Sequence, residues 1–167
     1  KVTNMKRMFT NASSFNQDIS NWDVSKVTDM ESMFLKANSF NQDISDKTVT
    51  KTDGSQYTAW DVSSVTNMDG MFLQASSFNG DISNWDVRNV TNMGFMFFMA
   101  SAFNQVLDWD VSSVTNKRNM FNNSGGSFKI PTTTTTLLPT TLGTDKIFEQ
   151  ESLKIITLKV KEISIDE

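Results

Sequence analysis

The 167-residue chain contains neither cysteine nor histidine. Thiolate nucleophiles, His-based triads, zinc fingers and His-ligated metals are thereby excluded within it. Disulfides are excluded as well, so packing alone must hold the fold, and cysteine usage does not separate a cell-surface protein from a cytosolic one. No apolar run approaches the roughly 20 residues that span a bilayer. The chain opens Lys1-Val2-Thr3, without Met or a signal-peptide pattern, which leaves room for a removed targeting segment. Cations are also in short supply: 15 Lys and Arg against 19 Asp and Glu give a net charge of -4 and a pI near 4.8. That balance argues against general binding to nucleic acid or anionic membranes.

What the chain has in excess is large apolar side chains, with 13 Phe, 10 Met and 4 Trp against a single Tyr. The excess comes from a repeat. The block Val-Thr-x-Met-x-x-Met-Phe occurs at Val2–Phe9, Val27–Phe34, Val65–Phe72 and Val90–Phe97, with a degenerate fifth copy at Val114–Phe121. Its starts are separated by 25, 38, 25 and 24 residues, so the second interval carries a 13-residue insertion. Between the blocks run Ser-Phe-Asn-x-Asp-Ile-Ser, from Ser14, Ser39 and Ser77, and Trp-Asp-Val, at Trp22, Trp60, Trp85 and Trp109. A slot that takes the same large apolar residue in every copy is expected to stack on its own copy in the next repeat.

Within one unit, Met30, Met33, Phe34 and Ala37 follow the i, i+3, i+4, i+7 spacing of two helical turns. Ile19, Trp22 and Val24 suit a short extended segment. The spacing therefore predicts a leucine-rich-repeat-like solenoid over residues 1–130, each coil of about 25 residues a short strand plus a short helix. Five such coils about 4.8 Å apart make a slab only about 25 Å long, with little room for a deep pocket.

The unit Phe15–Phe34 closely resembles the repeat of BspA-type leucine-rich-repeat surface proteins, and more narrowly the 25-residue repeat of mycoplasma lipoproteins formerly called a domain of unknown function. The resemblance runs from Lys1 to about Ile130. It implies a surface or secreted protein linked to adhesion, and carries fold further than function.

Departures from the repeat are where function is expected. The insertion, residues 46–59, places Asp53-Gly54 between two β-prone runs and reads as a projecting hairpin bearing Tyr57. The fourth unit carries Phe95, Phe98 and Met99 where its sisters are mostly polar. Phe98 shares its slot with Leu35 and Leu73, which suggests an outer apolar ridge that meets a partner or the chain's own C-terminal segment. Asp18, Asp43 and Asp81 form one carboxylate column, and Asp23, Asp61, Asp86 and Asp110 another. Both read as Asx turns in preference to a calcium ladder. No metal or cofactor is assigned, and no convergent carboxylate pair stands outside the repeat slots, so no catalytic residue is assigned either.

Residues 109–130 read as a capping repeat, because Lys117 stands in a Met slot and Gly125-Gly126 breaks the pattern. The uncapped first repeat leads us to expect further repeats or a partner surface before Lys1. Residues 131–144 are a Pro/Thr-rich linker, and residues 145–167 a β-prone strand segment. Function is expected to be a non-enzymatic interaction or adhesion module, outside a cell or on its surface, meeting a protein or glycan partner. The alternative is a structural subunit of a large assembly such as a virion, a filament or a membrane-associated complex, packed against neighbouring subunits.

Overall fold

In the computed structural model, which describes residues 2–129, the repeats meet layer on layer through single parallel β-bridges. These link Asn4 to Asp29, Asp29 to Asn67, Asn67 to Asn92 and Asn92 to Asn116. Hydrogen bonds between layers continue along the Met–Phe segment with a period of two. In the second repeat the amides of Met30, Ser32, Phe34 and Lys36 donate to the carbonyls of Asn67, Asp69, Met71 and Leu73, all at 2.8–2.9 Å. The amides between them turn inward. Met33 donates to Met30, Leu35 to Ser32 and Ala37 to Phe34 within the same segment.

That alternation overturns the strand-plus-helix coil. Among the described residues there is no helix, and the regular strands are four short ones in two small sheets. The leucine-rich-repeat-like solenoid inferred from the spacing is therefore not the fold of these repeats. The reason is local. Ser32 and Lys36 have φ of 55° and 56°, and the equivalent Gln74, Phe95, Met99, Asn119 and Asn123 are likewise left-handed. A left-handed residue at every fourth position stops a right-handed helix from propagating. The result is a chain of β-turns that presents the same i, i+3, i+4, i+7 stripe to the core. The extended segment predicted at Ile19–Val24 is also absent, because the Trp22 amide closes a turn onto the Ile19 carbonyl at 3.1 Å.

Two named sheets interrupt the layers. Strands β1 (Lys47–Thr50) and β2 (Gln56–Ala59) pair antiparallel, with Lys47 opposite Ala59 and Thr50 opposite Gln56. Gly54, at φ 81°, supplies the left-handed turn residue. Closing the hairpin at Lys47 and Ala59 returns the chain to the layer, so Trp60 occupies the usual Trp slot. Strands β3 (Val106–Leu107) and β4 (Ser127–Phe128) pair in parallel at the fifth repeat.

The core is the repeated Met, Phe, Trp, Ile and Val set, and among the described residues no polar or charged residue is buried. Phe9, Phe34, Phe72, Phe97 and Phe121 form one ring pile, with centroids 5.4–5.7 Å apart and planes within 9° of parallel. Phe15, Phe40, Phe78 and Phe103 form a second, 5.9–6.2 Å apart. Each layer ties the two piles together, as Phe72 does with Phe78 at 3.9 Å. Offset stacks of this kind add about 0.5–1.5 kcal/mol per pair to the burial of the rings. The expected linker at residues 131–144 and strand segment at residues 145–167 lie outside the described residues.

Candidate interaction surface

The turn geometry decides which side chains face out. In the second, third and fourth Met–Phe segments the first Met slot, the second Met slot, the Phe and the Ala turn inward, placing the two positions after the first Met and the two after the Phe on the other face. These are Glu31, Ser32, Leu35 and Lys36; Asp69, Gly70, Leu73 and Gln74; and Gly94, Phe95, Phe98 and Met99, of which the two glycines are buried under neighbouring side chains. Backbone bonds from Lys36 to Leu73 and from Gln74 to Phe98 place Leu35, Leu73 and Phe98 in consecutive layers of a single column. All three are half-buried, as is Phe95, and Met99 is 42% exposed.

Phe95 and Phe98 meet edge to face at 5.7 Å. The Arg118 guanidinium lies 5.5 Å from the Phe95 centroid, and the Gln74 amide contacts the Met99 sulfur at 3.5 Å. Ionic groups border the ridge. Glu31 pairs with Lys6 at 2.7 Å and Arg7 at 3.5 Å, and the hydrogen bond from Lys6 holds its carboxyl below the usual glutamate range. Burial, then the neighbouring Glu31, pushes Asp69 above the usual aspartate range. Ser32 and Gly70, which the sequence did not single out, lie beside this ridge. The signal that locates them is the left-handed residue two places after the first Met.

Tyr57 is elsewhere. Its hydroxyl donates to the Asn21 carbonyl at 2.5 Å, and the Lys51 ammonium sits 5.3 Å from its ring centroid. The hairpin thereby forms one wall of a groove of about 500 Å³, whose lining includes Met5, Met8, Asn21, Trp22 and Asp23. None of the ridge residues lines it. Of these groove residues only Tyr57 stood out in the sequence as a candidate; the position of the insertion, next to the Trp slot, was the available signal for the rest.

The aspartate columns are spent on the backbone. Asp18, Asp43 and Asp81 accept the amides of Ser20, Ser45 and Ser83 at 2.9, 3.0 and 2.9 Å. Asp61, Asp86 and Asp110 accept those of Ser63, Arg88 and Ser112 at 3.1–3.2 Å. These bonds lead the causes that hold Asp18 and Asp81 below the usual range, and the Arg88 side chain does the same for Asp86. Among the described residues no group of three or more Asp and Glu is arranged to hold a metal ion, and no helix is long and apolar enough to cross a membrane.

The sequence profile of a family described as "Mycoplasma protein of unknown function, DUF285" matches residues 1–57 and 46–136. No curated protein matches the chain, and no solved structure does.

Proposed function

The chain belongs to the DUF285 family of mycoplasma proteins of unknown function, and from that premise we propose that it is a non-catalytic interaction module of a surface or secreted protein. Its work is to present a repeat-built face to a protein or glycan partner. The observation that carries this reading is the ridge of Leu35, Leu73, Phe95, Phe98 and Met99, whose apolar side chains reach one outer face of the stack in consecutive layers. The engagement of the Asp columns in Asx turns supports a binding role over a hydrolytic one. Kinship with the BspA-type surface proteins belongs to this proposal in respect of location and adhesion, and not of fold.

The test is a binding titration of the full chain against arrayed glycans and immobilised extracellular proteins, alongside Leu73→Asp and Phe98→Asp. Both substitutions sit at half-exposed positions, and unchanged cooperative melting checks that they fold. Loss of at least about tenfold in affinity is the expected result. Equal binding by wild type and both variants would remove the ridge from the function.

A further inference from the structure

The ridge invites a specific partner. Building on its reading as a binding face, we infer that it docks a second copy of this chain, side by side and parallel, about a two-fold axis that runs along the stack. The axis lies between the column of Arg7, Ser32, Gly70, Phe95 and Asn119 and the column of Thr10, Leu35, Leu73, Phe98 and Asn122. These columns are adjacent on one face: Phe95 touches Phe98, and a Cβ on Gly70 would stand 3.6 Å from Leu73 Cδ1.

Rotation about that axis sets each column opposite the other in the same layer, and the residues match. Leu73 faces the layer position of Gly70, which is buried beside the chain's own Ser32 and Leu73 and puts no side chain in the way. Phe98 faces Phe95, and Leu35 faces the small Ser32. One column further out, Lys36 of one copy faces Glu31 of the other. Lys36 has no ion pair of its own among the described residues, whereas Glu31 is held ionised by Lys6. Asp69 faces Gln74, Gly94 faces Met99, Arg118 faces Asn123 and Lys6 faces Asn11. No like charges oppose each other.

The antiparallel alternative, with the axis across the stack, fails on the same test. It brings Lys6 against Arg118 and Asp69 against Asp69. Opposed like charges are disfavoured at an interface, so charge selects the parallel arrangement. Register is a second requirement, because a partner must repeat its contacts layer for layer. A second copy does so by construction, with the same interval and the same order of residues. The near-parallel Phe rings show that the layers do not fan apart. A two-fold interface of this kind is closed and self-complementary.

The experiment is sedimentation velocity of the full chain across the micromolar range, with Leu73→Asp in parallel. The expected wild-type species has twice the 18.8 kDa mass of one chain, and Leu73→Asp raises the dissociation constant at least about tenfold. Orientation is read by cross-linking. The chain has no cysteine of its own, so Ser32→Cys mixed with Leu35→Cys should form a disulfide between unlike chains and none between like chains. A monomer at every concentration, or equal cross-linking of like chains, would overturn the inference. A monomer whose glycan or protein binding is still abolished by Leu73→Asp would overturn only the second-copy assignment and leave the binding face in place.

Discussion

The indole nitrogen of Trp85 donates to the carbonyl oxygen of Ile44 at 2.9 Å, across 41 residues of sequence and one layer of the stack. Trp60 makes the same bond to Ile19 at 2.9 Å and Trp109 to Ile82 at 3.1 Å. These bonds satisfy a polar atom that an aromatic core would otherwise strand, and they fix the layers in register as the rings stack at 6.2 Å. Trp85→Phe keeps the stacked ring and removes the donor. The loss is expected to be about 1–3 kcal/mol in a denaturant titration, the cost of a buried carbonyl left with fewer partners. Trp22 is half-buried, and among the described residues nothing accepts from its indole. Trp22→Phe should therefore cost under about 1 kcal/mol, and equal losses at the two positions would deny the bond its role.

The turn chain makes a prediction that a helix would reverse. Gln74 is left-handed at φ 58°, a conformation that costs a side-chain-bearing residue about 1–2 kcal/mol. Glycine removes that strain and gives back about 0.5–1 kcal/mol as chain entropy. Gln74→Gly is thus expected to be neutral or to stabilise by up to about 1 kcal/mol, whereas Gln74→Val destabilises by about 1 kcal/mol or more. In a helix the glycine variant would lose about 1 kcal/mol relative to alanine. Thermal melts of the two variants, with far-UV circular dichroism showing no helical minimum, decide the matter.

The interval of the repeat and the identity of its core slots were legible because packing imposes them. Met30, Met33, Phe34 and Ala37 are all fully buried. Their local conformation was not legible, since the stripe they form is common to a helix and to successive turns with every fourth residue left-handed. Of the left-handed positions in these segments, Gly70 and the asparagines Asn11, Asn119 and Asn123 are of residue types that favour that region; Arg7, Ser32, Lys36, Gln74, Phe95 and Met99 are not. The missing information lies between layers. Amides that would have closed a helix are drawn off by carbonyls 23–37 residues away, a partnership no local spacing encodes. For the candidate site, the column of Leu35, Leu73 and Phe98 was visible as a shared slot. The groove beside Tyr57 was not, because it depends on how far the hairpin folds back toward Asn21.

Asp69 should make stability depend on pH in a direction opposite to the Asx-turn carboxylates. Its burial and the nearby Glu31 raise its pKa in the folded state, so ionisation works against folding. The penalty is absent below the ordinary aspartate value of about 3.8, grows as pH rises through the raised folded value, and is complete above it. Asp69→Asn removes the charge and retains an oxygen for the Asn92 side chain that bonds it. The variant is expected to melt higher than the wild type near neutral pH, where Asp69 is ionised. That advantage should vanish at acid pH. An advantage that persists unchanged below the aspartate range would show that charge is not its source.

Gly126 sits where the Phe piles end. A Cβ built there would lie 2.6 Å from two atoms of the Phe103 ring and 2.8 Å from Phe121 Cδ1. Phe103 is fully buried and stacked on Phe97 at 3.8 Å, and Phe121 is stacked on Phe97 at 5.7 Å. Neither ring can retreat without opening the pile behind it, and Phe128 closes on Phe121 edge to face at 5.1 Å. Gly126→Ala is therefore expected to destabilise by about 1–3 kcal/mol through overpacking. Gly125→Ala meets its nearest atom at 3.2 Å and should cost less. Paired denaturant titrations test the order. If the two variants were equally stable, the fifth repeat would not be packed against the fourth as the ring contacts require, and the closure of the stack by Phe121 and Phe128 would have to be abandoned.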